Sequence, residues 1–135
     1  MDLRDTSQIK NFTKWLPVLD GIVLCAGVNK ILPSAFISKE QILNIFETNV
    51  IGTFEIVAHI LKNKKIAKGG SIVAISSISG LDQINFGYGV YGASKAALSN
   101  WIKHLALEIA PKKIRANSIC AGAIMNKNDT VNLIG

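Results

Sequence analysis

The chain has 135 residues, of which 49% are hydrophobic and 18% are charged, a balance that supports one domain with a packed core and excludes a disordered chain. Its apolar runs are too short to span a bilayer, and its charged start, MDLRDTSQIKNF, does not have the pattern of a signal peptide. Two cysteines indicate reduced thiols in a cytoplasm, and the short apolar runs predict no membrane partner. The net charge is +6.

The first predicted strand is the apolar run 21–25 (GIVLC), whose composition is typical of a strand covered on both faces. A long helix is predicted next, over 38–65, where Ser38 and Gln41 form a capping box in the first turn. The apolar stripe of this helix consists of Ile42, Ile45, Ile56 and Ile60.

The second half of the chain continues the alternation of strand and helix. A strand is predicted at 71–76 (SIVAIS), a helix at 91–110 and a third strand at 114–120. Pro111 ends the helix, because proline disfavours helical geometry in the residue before it. Strands separated by long helices form a parallel sheet with right-handed crossovers. The apolar face of the second helix consists of Leu98, Ile102, Leu105 and Ile109.

The carboxyl ends of the three predicted strands carry small and hydroxyl-bearing residues. These ends are CAGV (25–28), SSISG (76–80) and CAGAI (120–124), where glycine lets a ligand approach the backbone closely. Ligands of parallel α/β sheets bind beyond the carboxyl ends of the strands. We therefore expect the functional site at this edge.

Tyr91 and Lys95 lie four residues apart at the start of the second predicted helix, so they share one of its faces. An ammonium group favours the phenolate form of a nearby tyrosine, which suits the pair to exchange a proton with a carbonyl or alcohol oxygen. Tyr88 has no lysine four residues further on. His59 and His104 lie in helix bodies, and we expect no metal site.

Six segments resemble, in the same order, motifs of the short-chain dehydrogenase/reductase family, and together they cover nearly the whole chain. DLRD (2–5) is similar to the acidic motif, LCAG (24–27) to the Asn-Asn-Ala-Gly motif and NVIG (49–52) to the helix asparagine motif. ISS (75–77) is similar to the catalytic serine segment, YGASK (91–95) to the Tyr-x-x-x-Lys motif and IRANSICAGAI (114–124) to the segment that usually ends in Pro-Gly.

The resemblance implies an oxidoreductase that acts on a small-molecule alcohol/carbonyl pair with NAD or NADP as cofactor. It implies that Tyr91 is the general acid/base and that Lys95 favours its phenolate form. Ser77 would polarise the substrate oxygen, with Ser76 as an alternative donor. Asn49 would anchor a water in a proton relay; it also falls on an apolar stripe, so a buried amide that only supports the helix is the alternative.

The resemblance also implies a set of cofactor-binding residues. Asp2 would meet the adenine, and Lys95 would hold the nicotinamide ribose beside Tyr91. The other implied cofactor-binding residues are Leu3, Cys25, Ala26, Gly27, Gly122, Ile124 and Asn126.

The chain departs from the family's pattern at several positions. Leu24 and Cys25 replace both asparagines of one motif, Ala121 replaces the usual proline, and Asn126 replaces a common threonine. The family's Gly-rich first turn, final strand and substrate-covering helices have no counterpart in the sequence. The resemblance therefore implies that the determinant of NAD against NADP lies outside the chain.

We thus predict a truncated Rossmann-like, doubly wound parallel sheet in three α/β/α layers, forming a partial dinucleotide-binding domain over 1–135. By itself the chain should be poorly soluble and should bind no NAD(P)H, because apolar strands would lack their neighbours. An inactive fragment or pseudoenzyme that only associates with other subunits is the alternative function.

Two further expectations concern partners. The resemblance implies a homo-oligomer, a dimer or tetramer, that assembles through helices 38–65 and 91–110. Some of the large apolar side chains of the second helix would then face another subunit, and the candidates are Trp101, Ile102 and Leu105.

The basic residues collect in two runs, 62–68 (KNKKIAK) and 111–115 (PKKIR), and each run follows a predicted helix. Cations at this place complement the negative end of a helix, so we interpret the runs as solvated helix ends. A basic nucleic-acid-binding module is a remote alternative, because no aromatic residues are interleaved with the lysines.

Overall fold

The computed structural model describes residues 1–123, and within them helices alternate with three strands. Short 3-10 helices occupy Ser34–Phe36, Ile78–Gly80 and Ala110–Lys112. The main elements are α1 (Thr6–Trp15), β1 (Leu19–Leu24), α2 (Lys39–Phe46), a π-helical segment (Glu47–Gly52), α3 (Thr53–Lys62), β2 (Ile66–Ser77), α4 (Gly89–Ile109) and β3 (Arg115–Ala121).

The three strands form a parallel sheet in the order β1-β2-β3, as the alternation of strands and helices predicts. Ile22 pairs with Ile72, which pairs with Ala116 on the other side. Strand β2 begins at Ile66, five residues before the predicted start, and the ladder shifts between Leu19 and Gly21. The predicted Rossmann-like parallel sheet is confirmed.

The core lies between one face of the sheet and helices α1, α3 and α4. Ile72 and Ala74 of the central strand are completely buried there, together with Ile9 of α1. The predicted apolar face of α4 is confirmed, since all four of its residues belong to the same core. On the opposite face of the sheet, Val23 is 61% exposed and Ile119 is 54% exposed.

The prediction of one helix over 38–65 is wrong in its middle and at its end. The capping box of Ser38 and Gln41 is present, but a π-helical segment separates α2 from α3, which ends at Lys62. Within α2, Ile42 is 38% exposed while Ile45 is buried, so the first residue of the predicted stripe lies outside the core. The remaining stripe residues, Ile56 and Ile60, are buried.

Helix α1 has no counterpart among the predicted elements. Its buried residues are Ile9 and Thr13. Its start was nevertheless marked in the sequence, since the Asp5 side chain accepts hydrogen bonds from the backbone N–H groups of Ser7 and Gln8. No helix in residues 1–123 has both the length and the hydropathy to cross a bilayer.

Candidate active site

A cleft of about 290 Å³ opens at the carboxyl edge of the sheet, where the ends of all three strands meet the first turns of α4. Six of the predicted site residues line it: Cys25, Gly27, Ser77, Tyr91, Lys95 and Gly122. The other lining residues are Val28, Asn29, Ile75, Ser76 and Ala121.

Two glycines bring the loop after β2 into direct contact with α4. A Cβ atom at Gly80 would lie 2.6 Å from the Ala96 nitrogen, and one at Gly92 would lie 2.5 Å from the Ser79 carbonyl oxygen. Any larger residue would separate the two elements. This contact places Ser77, at the end of β2, on the same cleft as Tyr91.

Lys95 is only 4% exposed, and its Nζ donates a hydrogen bond of 2.8 Å to the carbonyl oxygen of Ile75. The same Nζ lies 5.9 Å from the centre of the Tyr91 ring. Burial lowers the pKa of Lys95 below its ordinary 10.5, and the nearby Cys25 opposes this shift. An ammonium has three donors, so two N–H groups remain for a ligand in the cleft.

Tyr91 is half-buried in the first turn of α4, a helix of 21 residues. Its ring meets the Tyr88 ring edge to face, with 6.0 Å between the ring centres. The amino end of a helix carries partial positive charge, which favours an anion at this position. The amino end of α4 and Lys95 Nζ therefore both lie close to the Tyr91 ring.

The hydrogen bonds of the two serines at the end of β2 separate their possible roles. Ser76 Oγ donates to the Lys95 carbonyl oxygen at 2.9 Å and accepts from Ser99 Oγ at 2.6 Å, so its proton is already used. Ser77 Oγ accepts from the Ser79 N–H at 3.1 Å, and its own proton is free to donate. The geometry favours Ser77 over Ser76 as a donor to substrate.

Asn49 is completely buried behind the cleft, as its place on an apolar stripe predicts. Its Oδ1 accepts from the Val28 N–H at 2.7 Å, and its Nδ2 donates to the Val28 carbonyl oxygen at 2.9 Å and to Ser94 Oγ at 3.0 Å. Both amide protons are therefore used. Of the side-chain amide, only one lone pair of Oδ1 remains for a water.

Three features of the site escaped prediction from the sequence. Asn49 lies in the π-helical segment, and such segments occur frequently at functional sites. Ser94 and Ser99 are buried hydrogen-bond partners of Asn49 and Ser76. The sequence does indicate these two serines, because both lie at helical spacing from the apolar residues of α4. A hydroxyl on a buried helix face needs a buried hydrogen-bond partner.

The acidic segment at the start of the chain lies near the π-helical segment. A Cβ atom at Gly52 would collide with the carbonyl oxygen of Leu3. Asp2 is engaged by Arg4, with 2.7 Å between Arg4 Nη2 and Asp2 Oδ2, and these hydrogen bonds lower the pKa of Asp2 to about 2. Ala26 lines a neighbouring apolar groove together with Leu3.

Two predicted cofactor-binding residues, Ile124 and Asn126, lie outside the described residues. Cys25 is an exposed free thiol, and Cys120 is a half-buried free thiol. Among residues 1–123, no three histidine, cysteine or carboxylate side chains form a group that could hold a metal ion.

A family model described as short chain dehydrogenase matches residues 1–131. The chain is 31% identical over 116 residues to the vibriobactin-specific 2,3-dihydro-2,3-dihydroxybenzoate dehydrogenase of Vibrio cholerae, covering 86% of the chain and 44% of the relative. It is 36% identical over 106 residues to carbonyl reductase family member 4 of Xenopus laevis, covering 78% of the chain and 44% of the relative. The chain thus spans about half the length of the curated relatives it matches.

The fold is also similar to solved structures. A 4-hydroxyisoleucine dehydrogenase complexed with NADH and succinate superposes with a TM-score of 0.78 at 30% identity. The match covers 91% of this chain and 59% of that one.

Proposed function

The chain belongs to the short-chain dehydrogenase family, and on this premise we propose that its cleft supports nicotinamide-dependent oxidation or reduction of an alcohol/carbonyl pair. The observation that carries the proposal is the meeting of Tyr91, Lys95 and Ser77 on one cleft, with Asn49 buried behind it. The relatives named as dehydrogenase and carbonyl reductase support the same class of reaction.

The cleft suits the nicotinamide end of a dinucleotide. Lys95 has two unused donors for a ribose, and the closeness of Gly27 keeps that amine accessible, because a Cβ atom there would lie 3.2 Å from Lys95 Nζ. A volume of about 290 Å³ is at the lower end for a small-molecule site, so it would hold one end of the cofactor only. The choice of NAD or NADP stays open. The similar dehydrogenase solved with NADH supports a nicotinamide in general.

The side chains divide the proton chemistry between them. When bound, a nicotinamide would supply or accept the hydride. In the direction of reduction, the Tyr91 hydroxyl gives its proton to the carbonyl oxygen, while the Ser77 hydroxyl donates a hydrogen bond to the same oxygen. Lys95 stabilises the phenolate that remains, and a proton from solvent then restores the phenol. Oxidation of the alcohol runs these steps in reverse.

A graft tests this assignment within a complete fold. The segment of the chain that matches the Vibrio cholerae relative over 116 residues replaces its counterpart in that relative. Turnover of 2,3-dihydro-2,3-dihydroxybenzoate, the compound for which that relative is named, is measured by nicotinamide absorbance. We expect a folded, active graft in which Tyr91→Phe lowers kcat by at least about 100-fold, the scale of general acid–base catalysis. Cofactor affinity should change little, because only a hydroxyl is removed.

Tyr88→Phe is the matched control, since it deletes the hydroxyl of the neighbouring ring without touching the Tyr91–Lys95 pair. Its graft should keep turnover within a few-fold. A folded graft without activity would contradict the proposal. So would a Tyr91→Phe graft as active as the parent.

For the chain alone we propose the opposite outcome, namely no detectable binding of NADH or NADPH and poor solubility. The exposed Val23 and Ile119 on one face of the sheet support this, because apolar side chains left in water forfeit about 1.5–3 kcal/mol each. Titration of the purified chain, followed by nicotinamide fluorescence, tests it. Saturable micromolar binding would show that the chain needs no Gly-rich turn.

A homo-oligomer is a further proposal. Of the three predicted contact residues, Ile102 and Leu105 lie in the core, which leaves Trp101 as the candidate. Its ring stacks on Phe54 of α3 at 3.9 Å between centres, and both side chains remain half-exposed. Light scattering should give a dimer or tetramer that Trp101→Glu weakens, whereas Phe36→Glu, at a distant exposed site, should leave it intact. A stable monomer at micromolar concentration would contradict the proposal.

A further inference from the structure

The amino edge of the sheet, opposite the cleft, gathers both basic runs into one surface. Helices α1, α3 and α4 end at this edge and all three strands begin there. Lys65 Nζ donates to the Leu16 carbonyl oxygen at 2.5 Å, and the Gly69 N–H donates to the Lys113 carbonyl oxygen at 3.0 Å. We name this surface the basic edge; its cations are Lys14, Lys62, Lys64, Lys65, Lys68, Lys112, Lys113 and Arg115.

The basic edge carries the whole net charge of the protein. Eight of the fifteen lysine and arginine residues lie there, against two carboxylates, those of Asp20 and Glu108. The rest of the sequence has seven cations and seven carboxylates, so the net charge of +6 belongs to this edge. Three helix ends contribute about half a negative charge each, which offsets only a small part of it.

These cations are also free of close carboxylate partners. All are exposed except Lys65, which is half-buried. Within residues 1–123 the ion pairs are Arg4–Asp2 and His59–Glu55, and neither includes a cation of the basic edge. The basic edge therefore presents unneutralised positive charge to solvent, beyond what the helix ends require.

Apolar groups accompany the charge. A groove of about 390 Å³ at this edge has an apolar floor, flanked by Lys64, Lys68 and Lys112. The apolar residues of the groove are Leu61, Ile66, Pro111 and Ile114. At the end of α1, Trp15 is 79% exposed, and Val18 close by is 63% exposed.

This combination distinguishes between classes of anionic partner. Phosphodiester backbones would use the lysines but would leave the apolar floor and Trp15 without a role. The headgroup region of a bilayer accepts both, because clustered lysines attract anionic lipids and tryptophan prefers the membrane–water interface. The chemistry of the basic edge therefore matches an anionic lipid surface better than a nucleic acid.

We propose that the basic edge docks on an anionic membrane surface, with its lysines on lipid phosphates and Trp15 at headgroup level. Short apolar runs exclude a spanning segment but not docking at a membrane surface, so this proposal replaces the expectation of no membrane partner. Strand β3 separates the two edges by seven residues, about 23 Å at 3.3 Å per residue. Docking at the amino edge thus leaves the catalytic cleft facing the solution.

Vesicle flotation tests the proposal with the full 135-residue chain. Phosphatidylcholine vesicles are compared with vesicles that also contain phosphatidylglycerol, and flotation separates bound protein from aggregates, which sink. We expect binding to the anionic vesicles only, with a steep loss as salt is added. A triple variant with Lys64→Glu, Lys68→Glu and Lys112→Glu should bind at least about 100-fold more weakly, at roughly a factor of five per lysine near the surface.

The matched control is Lys10→Glu, Lys30→Glu and Lys103→Glu, which makes the same change of net charge at exposed sites elsewhere and should bind like the parent. Tryptophan emission should shift to the blue on anionic vesicles, and Trp15→Phe should abolish the shift while Trp101 remains. Equal binding to neutral vesicles, equal loss in both triple variants, or binding of a labelled oligonucleotide at concentrations that leave vesicles free would each overturn the proposal.

Discussion

The two ends of the parallel sheet both carry lysine, but in opposite surroundings. At the carboxyl edge, Lys95 is 4% exposed, donates to the Ile75 carbonyl oxygen and has its own carbonyl oxygen held by Ser76. At the amino edge, the lysines are exposed, and the one with a buried contact, Lys65, only donates to the end of α1.

The difference shows what burial does to an ionisable side chain. Removal from water lowers the pKa of Lys95 and fixes its Nζ beside the Tyr91 ring. The exposed lysines keep their freedom and act together as a charged surface. Substitutions at the carboxyl edge should therefore change chemistry and stability, whereas single substitutions at the amino edge should change little.

The largest effect is expected from Lys95→Met in the graft described above. In the proposed mechanism, loss of the ammonium would remove both the stabilisation of the phenolate and a cofactor contact, so kcat should fall at least about 100-fold and cofactor Kd should rise. Lys103→Met, an exposed lysine on the same helix, is the control and should retain activity. Equal values of kcat for the two variants would contradict a catalytic role for the buried Lys95.

Asn49→Ala should have the next largest effect, on stability. It leaves the Val28 backbone groups and Ser94 without their buried partner, which should cost about 1–3 kcal/mol in urea unfolding of the graft. Asn44→Ala, at an exposed position of α2, should be within about 0.5 kcal/mol of the parent. Equal costs for the two would show that the amide network does not support the site.

A pH dependence of stability should follow from Lys95. Its folded-state pKa is below the ordinary 10.5, so between these two values the unfolded chain binds more protons than the folded one. Stability should therefore rise with pH across that window, and Lys95→Met should remove this part of the slope. The urea midpoints of the graft and of its Lys95→Met variant, taken at several alkaline pH values, measure this dependence. Parallel profiles would contradict a lowered pKa.

The smallest effect is expected at the amino edge. Lys64→Met, at an exposed position, should alter the free energy of unfolding by no more than about 0.5 kcal/mol. The measurement is the same urea titration at neutral pH. A loss above about 1 kcal/mol would mean that this lysine has a structural partner, and the contrast between the edges would no longer hold.

Much of the framework was readable from the sequence. Three apolar runs gave the strands and their parallel arrangement, and the 3.6-residue spacing from Leu98 to Ile109 gave the buried face of α4. The pairing of Tyr91 with Lys95 on one helix face followed from their spacing. These features depend on residues close together in the chain, where periodicity determines geometry.

The remaining features depend on contacts between distant parts of the chain. Whether Ser76 keeps a free proton depends on the carbonyl oxygen of Lys95, 19 residues further along the chain. Asn49 lies in the π-helical segment, and its side chain is hydrogen-bonded to the backbone of Val28, which follows β1. The sequence by itself determined which residues could do chemistry. Only the tertiary structure decided which of them meet, and which lysines are buried or share one surface, because burial and long-range hydrogen bonds leave no local periodic signal.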